Sequence, residues 1–285
     1  MKKNSKINVF FGTFFSRGII IKISVILAVL FIIGALFASV ISSYDPNAID
    51  LSNTLQNATK GHILGTDAQG RDVFTRLLYG ARISLLASVF SCMLAAVLGM
   101  LLGLAAGYYE KAVATVIMRY IDIQLSIPPL LFTIIIGIIV GHSLGGLIVA
   151  IAFGLIPGFT RMMYGLVLSI KESDYIVALR LEKVPNWKII LKHLLPNCFP
   201  SMIVMFATNL GTSIMLESTL SFLGIGIQLP TASWGNMVSD GYSYIFTNPM
   251  LALMPGVCIT LVVVAFNIIG DGLRDALDPR LRGKL

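Results

Sequence analysis

The sequence predicts an all-α integral membrane protein of six transmembrane helices with both termini in the cytosol. Three observations carry this reading. Hydrophobic residues make up 56% of the 285 and charged residues only 12%, about half the charged share of a soluble domain, and the mean hydropathy is +0.86. Apolar runs long enough to cross a bilayer, about 20 residues, recur at 20–41, 83–108, 112–140, 144–168, 197–220 and 250–269. Of the 21 basic residues, only Lys60, Arg71, Arg76 and Arg82 fall in segments that this arrangement places outside. The others lie toward the opposite face, as cytosolic retention of Lys and Arg requires. The net charge of +7 is therefore a signal of membrane orientation, and its distribution argues against nucleic acid as a partner.

The elements follow in order. Lys2, Lys3 and Lys6 precede a first apolar run that lacks a small-residue exit. It is longer than a signal-peptide core of about 7–15 residues, so it reads as a retained helix. Outside, the segment 62–72 (HILGTDAQGRD) reads as a turn and a helix start. Thr66 or Asp67 is the expected cap, and Asp72 with Arg76 makes an i, i+4 pair. Its acidic spacing lacks the twelve-position ligand pattern of a calcium loop. The third and fourth runs touch, and His142 is the only ionisable residue between Ile123 and Thr160. The cluster 141–146 around it is turn-forming and closes the two runs into a hairpin. After the fifth run, Gly224, Gly226 and Pro230 make an irregular turn. Trp234, Met237, Val238 and Tyr242 then share a helical face suited to the lipid–water interface. Cys92, Cys198 and Cys258 lie within or beside apolar runs, far apart and without CxxC spacing, and read as small apolar residues.

The cytosolic island 169–197 is the most informative stretch. It reads as two short helices hinged at Pro185. Ser173 or Asp174 caps the first, in which Tyr175, Ile176, Ala178 and Leu179 form one apolar face. This helix is short, capped and exposed, with Tyr175 and Arg180 as anchors of the kind that hot spots favour. It suits a partner's groove, and it also fits an ordinary amphipathic surface helix. In the second helix Asn186 is the expected cap, and Trp187, Ile190, Leu191 and Leu194 recur at i, i+3, i+4 and i+7. That helix lies along the membrane surface or packs on the bundle, and Pro196 closes the unit.

Within the fifth run, Thr208, Asn209, Thr212, Ser213 and Glu217 bring polar groups to an apolar helix. They line a path, or they bond neighbouring helices. No span carries the midplane carboxylate of many ion-coupled carriers, which disfavours a secondary transporter. Phosphate-loop and HExxH motifs are absent from the sequence, and its three histidines lack metal-ligand spacing. No catalytic, metal or cofactor site is expected, which disfavours a membrane enzyme.

Four separated motifs then resemble one family, in order and over nearly the whole chain. DYIVALR with KIILKHLLPN, inside the island, resembles the signature cytosolic loop of ABC-importer permeases in its peptide and nickel version. HILGTDAQGRD, the stretch 216–241 and the stretch 266–283 (FNIIGDGLRDALDPRLRG) resemble further signatures of the C-type subunits, the DppC/OppC type. The resemblance implies a type I ABC-importer permease fold in the cell membrane of a prokaryote. Implied partners are a second, B-type permease forming a heterodimer, two cytosolic ABC ATPase subunits and an external solute-binding protein. Di- or oligopeptides are the implied cargo, with nickel or a metal–chelator complex as the alternative. ATP hydrolysis would sit on the separate ATPases.

The island helix, Asp174, Tyr175, Ile176, Val177, Ala178, Leu179 and Arg180, would be the coupling helix. The family pattern has Glu-Ala-Ala where this chain has Val177-Ala178-Leu179, and Gly where it has Lys183. Leu179 is expected to add bulk to the docking face, and Lys183 to force a different turn. Three regions are implied. Residues 1–78 hold the tail, the first helix and the external segment. Residues 79–271 are a five-helix core with the coupling loop 169–196, and 272–285 are a cytosolic tail.

Overall fold

A computed structural model describes residues 12–15, 18–109 and 111–277. The N-terminal basic residues Lys2, Lys3, Lys6 and Arg17, and the tail from 278 with the end of the last motif, lie outside the described residues. The elements are α1 (Ile19–Leu36), α2 (Val73–Tyr108), α3 (Ala112–Leu125), α4 (Pro129–Val140), α5 (Leu144–Lys171), α6 (Asp174–Leu181), α7 (Asn186–Phe222), α8 (Trp234–Tyr242) and α9 (Met250–Leu277). Among the described residues there is no strand, only an isolated bridge between Thr66 and Asp72. Helices α1, α2, α5, α7 and α9 are each long and apolar enough to cross a membrane, and the bent pair α3–α4 brings the spans to six if it counts as one.

That pair corrects the single straight helix expected over 112–140. The chain turns by 95° between α3 and α4. At 1.5 Å per residue the two pieces are only about 21 and 18 Å long, each short of a hydrocarbon core of about 30 Å. The cause is Pro128-Pro129. Pro128 is extended (φ −51°, ψ 130°) and Pro129 opens the next helix, because a residue before proline avoids the helical region and proline is tolerated in a first turn. The expected hairpin at 141–146 is present. Gly141 takes φ 90°, and Ser143 caps α5 by accepting from the Gly146 N–H at 3.0 Å.

Helices α2 and α5 form the central pair. Gly99, Gly103 and Gly107 recur every fourth residue on the face of α2 that meets α5, a pattern that lets backbones close up. A Cβ on Gly103 would fall 2.5 Å from the Thr160 carbonyl oxygen, and one on Gly107 2.7 Å from Val167 Cβ. Helix α7 lies against α2 and α9, and α1 packs on α2 and α9. Cys92 and Cys198 are buried and Cys258 is half-buried, all as free thiols.

The outer end is fastened by polar contacts. Asp72, rather than Thr66 or Asp67, caps α2: its carboxylate accepts from the Thr75 N–H at 2.7 Å and lies 2.9 Å from His62 Nδ1. The expected Asp72–Arg76 pair does not form. Arg76 Nε instead faces Asp67 at 3.6 Å, and its Nη1 donates to the carbonyls of Pro46 and Pro230. Asp67 is also held by Arg71 at 2.6 Å. Arg71 reaches Asp240 on α8 at 3.3 Å, and burial raises the Asp240 carboxyl above its ordinary range against the pull of both arginines.

The face of α8 corrects a second expectation. Trp234 is fully buried and Met237 nearly so. The Trp234 Nε1–H donates to the Leu77 carbonyl at 3.0 Å, and the ring meets Phe31 edge-on at 5.5 Å. Tyr242, 64% exposed, and half-buried Val238 are the members of that face that could reach an interface. An amphipathic period reports that a face is apolar, and here α1, α2, α7 and α9 cover it in place of lipid.

Candidate functional site

The cytosolic island folds into α6 followed by the base of α7. Ser173 occupies the N-cap position of α6 without a side-chain capping bond; its hydroxyl instead donates to the Ile170 carbonyl at 2.6 Å. Asp174 stands in the first turn and Arg180 in the last, each favourably placed in the helix dipole. Ile176 is fully buried, and Leu179 packs on the same core. Tyr175, Val177, Ala178, Arg180 and Leu181 are exposed. Leu179 therefore faces the bundle and adds no bulk to the outward face, which corrects the expectation. The outward apolar groups are Val177 and Leu181, while Tyr175 leans toward the base of α7.

The loop after α6 also differs from expectation. Lys183 takes φ 56°, the left-handed conformation that a glycine would supply. Its N–H bonds the Arg180 carbonyl at 3.0 Å, and the Val184 N–H bonds that of Leu179 at 3.1 Å, which is the paired closure of a Schellman motif. The turn is thus kept, with a side chain paying a steric penalty of about 1–2 kcal/mol, partly offset by lower unfolded-state entropy. Lys183→Gly is expected to raise stability by about 0.5–1 kcal/mol, read as a higher unfolding midpoint without loss of assembly.

The second island helix does not stand alone. Pro185, not Asn186, occupies its N-cap position. A π-turn over Ile190–Leu194 joins Asn186–Ile189 to the span, with the Leu195 N–H bonded to the Ile190 carbonyl. Pro196 therefore does not close the unit. The widened turn ahead of it absorbs a residue that has no N–H to give.

Three contacts tie the island to the spans. The Tyr108 hydroxyl donates to Asn186 Oδ1 at 2.7 Å, and the Arg180 guanidinium lies 5.2 Å from the centre of the same ring. Lys171 Nζ, buried, donates to the Gly107 carbonyl at 3.1 Å. On the other side, Asn197 Nδ2 donates to the His193 carbonyl and to the Tyr175 hydroxyl at 3.1 Å. Tyr108 and Asn197 did not stand out in the sequence. A tyrosine at a helix end and an asparagine after a proline carry no local signal of a partner so far along the chain.

The polar residues of α7 divide between two faces. Ser213 and Glu217 are fully buried. Ser213 donates to the Ser88 carbonyl at 3.0 Å. The Glu217 carboxylate accepts from Ser221 at 2.9 Å and Ser218 at 3.3 Å, with Ser84 and Ser233 completing its hydroxyl shell. These two residues bond neighbouring elements and leave the candidate path. Thr212 is exposed, and Thr208 and Asn209 are half-buried. Thr208 and Asn209 line a groove of ≈ 550 Å³, whose other walls include Met162 of α5 and Asp271 and Arg274 of α9. A smaller groove of ≈ 230 Å³ lies further along α7 at Met215, Thr219 and Phe222. Thr212 stands between the two, so one face of α7 stays uncovered along most of its length.

The comparisons agree with this architecture. The family model for the binding-protein-dependent transport system inner membrane component matches residues 99–283. The dipeptide transport system permease protein DppC of Alkalihalophilus pseudofirmus is 41% identical over 91% of this chain and 86% of its own length. The glutathione transport system permease protein GsiD of Pectobacterium atrosepticum is 39% identical over 87% and 83%. A probable D,D-dipeptide permease, DdpC of Escherichia coli, is 37% identical over 92% and 88%. Among solved structures, an inward-facing MetNI methionine ABC transporter shares the fold with a TM-score of 0.57 at 20% identity, over 71% of this chain and 96% of that one. With the permease fold, the island loop and these relatives in agreement, the chain belongs to the inner-membrane components of binding-protein-dependent transport systems, as an ABC permease of the DppC type.

Proposed function

We propose that this chain forms half of the translocation path of a peptide importer and couples that path to separate ATPases. The observation that carries the coupling role is α6, an exposed helix with Val177 and Leu181 turned away from the bundle and its inner side held by buried Ile176. Such a helix matches the groove-docking mode of recognition. In this reading the assembly is a heterodimer with a second permease, powered by two ATPase subunits and supplied by an external solute-binding protein. Residues 79–271 make the permease core, and 1–78 add the first helix and the external segment. The chain itself has no catalytic role.

A peptide is the cargo that the names of the relatives favour: dipeptide, glutathione and D,D-dipeptide. The uncovered face of α7 is the path wall in this reading. Thr208, Asn209 and Thr212 offer hydrogen bonds to a peptide backbone. Single cysteines at positions 208, 209 and 212 are expected to react with a water-soluble maleimide in the assembled importer, and saturating dipeptide is expected to slow labelling severalfold. A cysteine at buried position 213 is the unreactive control. Equal labelling at all four positions, unaffected by peptide, would remove the path assignment.

A further inference from the structure

We propose that Tyr108 is a positioning residue for transport: it makes α6 and the α2–α5 pair one moving body, with the π-turn at the base of α7 as the joint. The inference rests on the reading of α6 as the element that the ATPase moves.

The two sides of α6 are fastened very differently. Toward α2 and α5 the attachment is buried and multiple. Ile176, fully buried, belongs to the same apolar cluster as Tyr108 and Val167. The Tyr108 ring is 8% exposed. Its hydroxyl holds Asn186, just past the turn that ends α6, and its face lies beneath Arg180, in the last turn of α6. One aromatic residue thus grips the coupling segment at two points seventy-odd residues along the chain. At the residue just before it, Lys171 Nζ closes the same corner on the Gly107 carbonyl. The glycine face of α2 then presses α2 and α5 together at Gly99, Gly103 and Gly107, so a load on Tyr108 reaches both helices.

Toward α7 the apolar packing continues through Ile189, Ile190 and Leu194, but the polar attachment is exposed and the helix is interrupted. The Asn197–Tyr175 bond is solvent-facing. Between it and Asn186 lies the π-turn Ile190–Leu194, and Pro196 and Pro200 follow in the first turns beyond it. A stretch with displaced and missing backbone bonds bends more readily than a regular helix. A pull on α6 is therefore transmitted to α2–α5 as a rigid displacement and taken up at the base of α7 as a bend.

The test uses the complete importer, this chain with its permease, ATPase and binding-protein partners, reconstituted in liposomes. The readouts are ATP consumed per peptide transported, and ATPase subunits retained on purification. Tyr108→Phe removes only the hydroxyl and keeps the ring under Arg180. Asn186→Leu removes the acceptor, and Asn186→Asp keeps it. Loss of one hydrogen bond from the transmission is expected to raise ATP consumed per peptide about three- to tenfold in Tyr108→Phe and Asn186→Leu. Assembly is expected to stay intact, and Asn186→Asp is expected to stay near the parent. Should Tyr108→Phe fail to assemble, the two Asn186 variants decide alone. An unchanged ratio in all variants, or a loss of assembly with a constant ratio, overturns the proposal and leaves Tyr108 a packing residue. A parent importer whose transport ignores ATP would instead defeat the coupling reading itself.

Discussion

Replacing Val177 and Leu181 together by Asp is expected to weaken retention of the ATPase subunits by about 30- to 100-fold while leaving this chain folded. The two side chains are 43% and 79% exposed on the outward face of α6. Burying an apolar side chain in an interface is worth about 1.5–3 kcal/mol when complete, and about 1.4 kcal/mol is a tenfold change in affinity. Two partly buried residues therefore supply the stated loss, and the introduced carboxylates add a desolvation cost. Leu179→Asp should behave in the opposite way. Leu179 packs on the core, so its replacement should lower the stability of this chain before it touches the interface. Quantitative co-purification from native membranes, with a thermal melt of each variant, separates the two behaviours. Equal retention in parent and double variant would rule out this face of α6 as the ATPase contact.

Trp234→Ala is expected to be the most destabilising single change in the outer half, at about 3–5 kcal/mol. Its ring is fully buried and packed edge-on against Phe31, and its removal leaves the Leu77 carbonyl without the indole donor. The loss has a second consequence. Trp234 opens α8 directly after Ser233, whose side chain caps that helix and helps surround the Glu217 carboxylate. Loosening α8 therefore also withdraws one hydroxyl from the shell around the buried Glu217 carboxyl, and this loss adds to the cavity. A clear drop in the detergent unfolding midpoint is the expected readout. A drop no larger than that of Tyr242→Ala, a residue 64% exposed, would mean that the α8 face is a lipid-interface face after all.

The class of fold was legible because hydropathy, span length and basic-residue placement report directly on the bilayer as solvent. The island helix was legible for a related reason: polar residues between apolar runs must leave the membrane, and Pro185 limits what they can form. What was not legible shares one cause. Periodicity identifies an apolar face without naming what covers it. Trp234 was therefore assigned to the lipid interface and Leu179 to the docking face, although α1, α2, α7 and α9 cover the first and the bundle covers the second. The same ambiguity hid the split in α7, where Ser213 and Glu217 turn inward and Thr212 outward although all three are polar groups on one apolar helix. Local rules failed where a competing partner won. Asp72 bonds Thr75 and His62 instead of Arg76, which long-range pairing draws toward Asp67. Lys183 adopts the glycine conformation because the two backbone bonds of the turn outweigh its steric cost. The bend at Pro128-Pro129 was readable from the dipeptide itself, which the apolar character of its surroundings obscured.

Transport in liposomes tests the central claim most directly. The purified assembly is reconstituted with binding protein and labelled dipeptide outside and with ATP, or a non-hydrolysable analogue, sealed on the ATPase side. The account predicts uptake only with ATP and binding protein together, and its loss in the Val177→Asp, Leu181→Asp double variant. Uptake by this chain alone, driven by an ion gradient and indifferent to ATP, would contradict it.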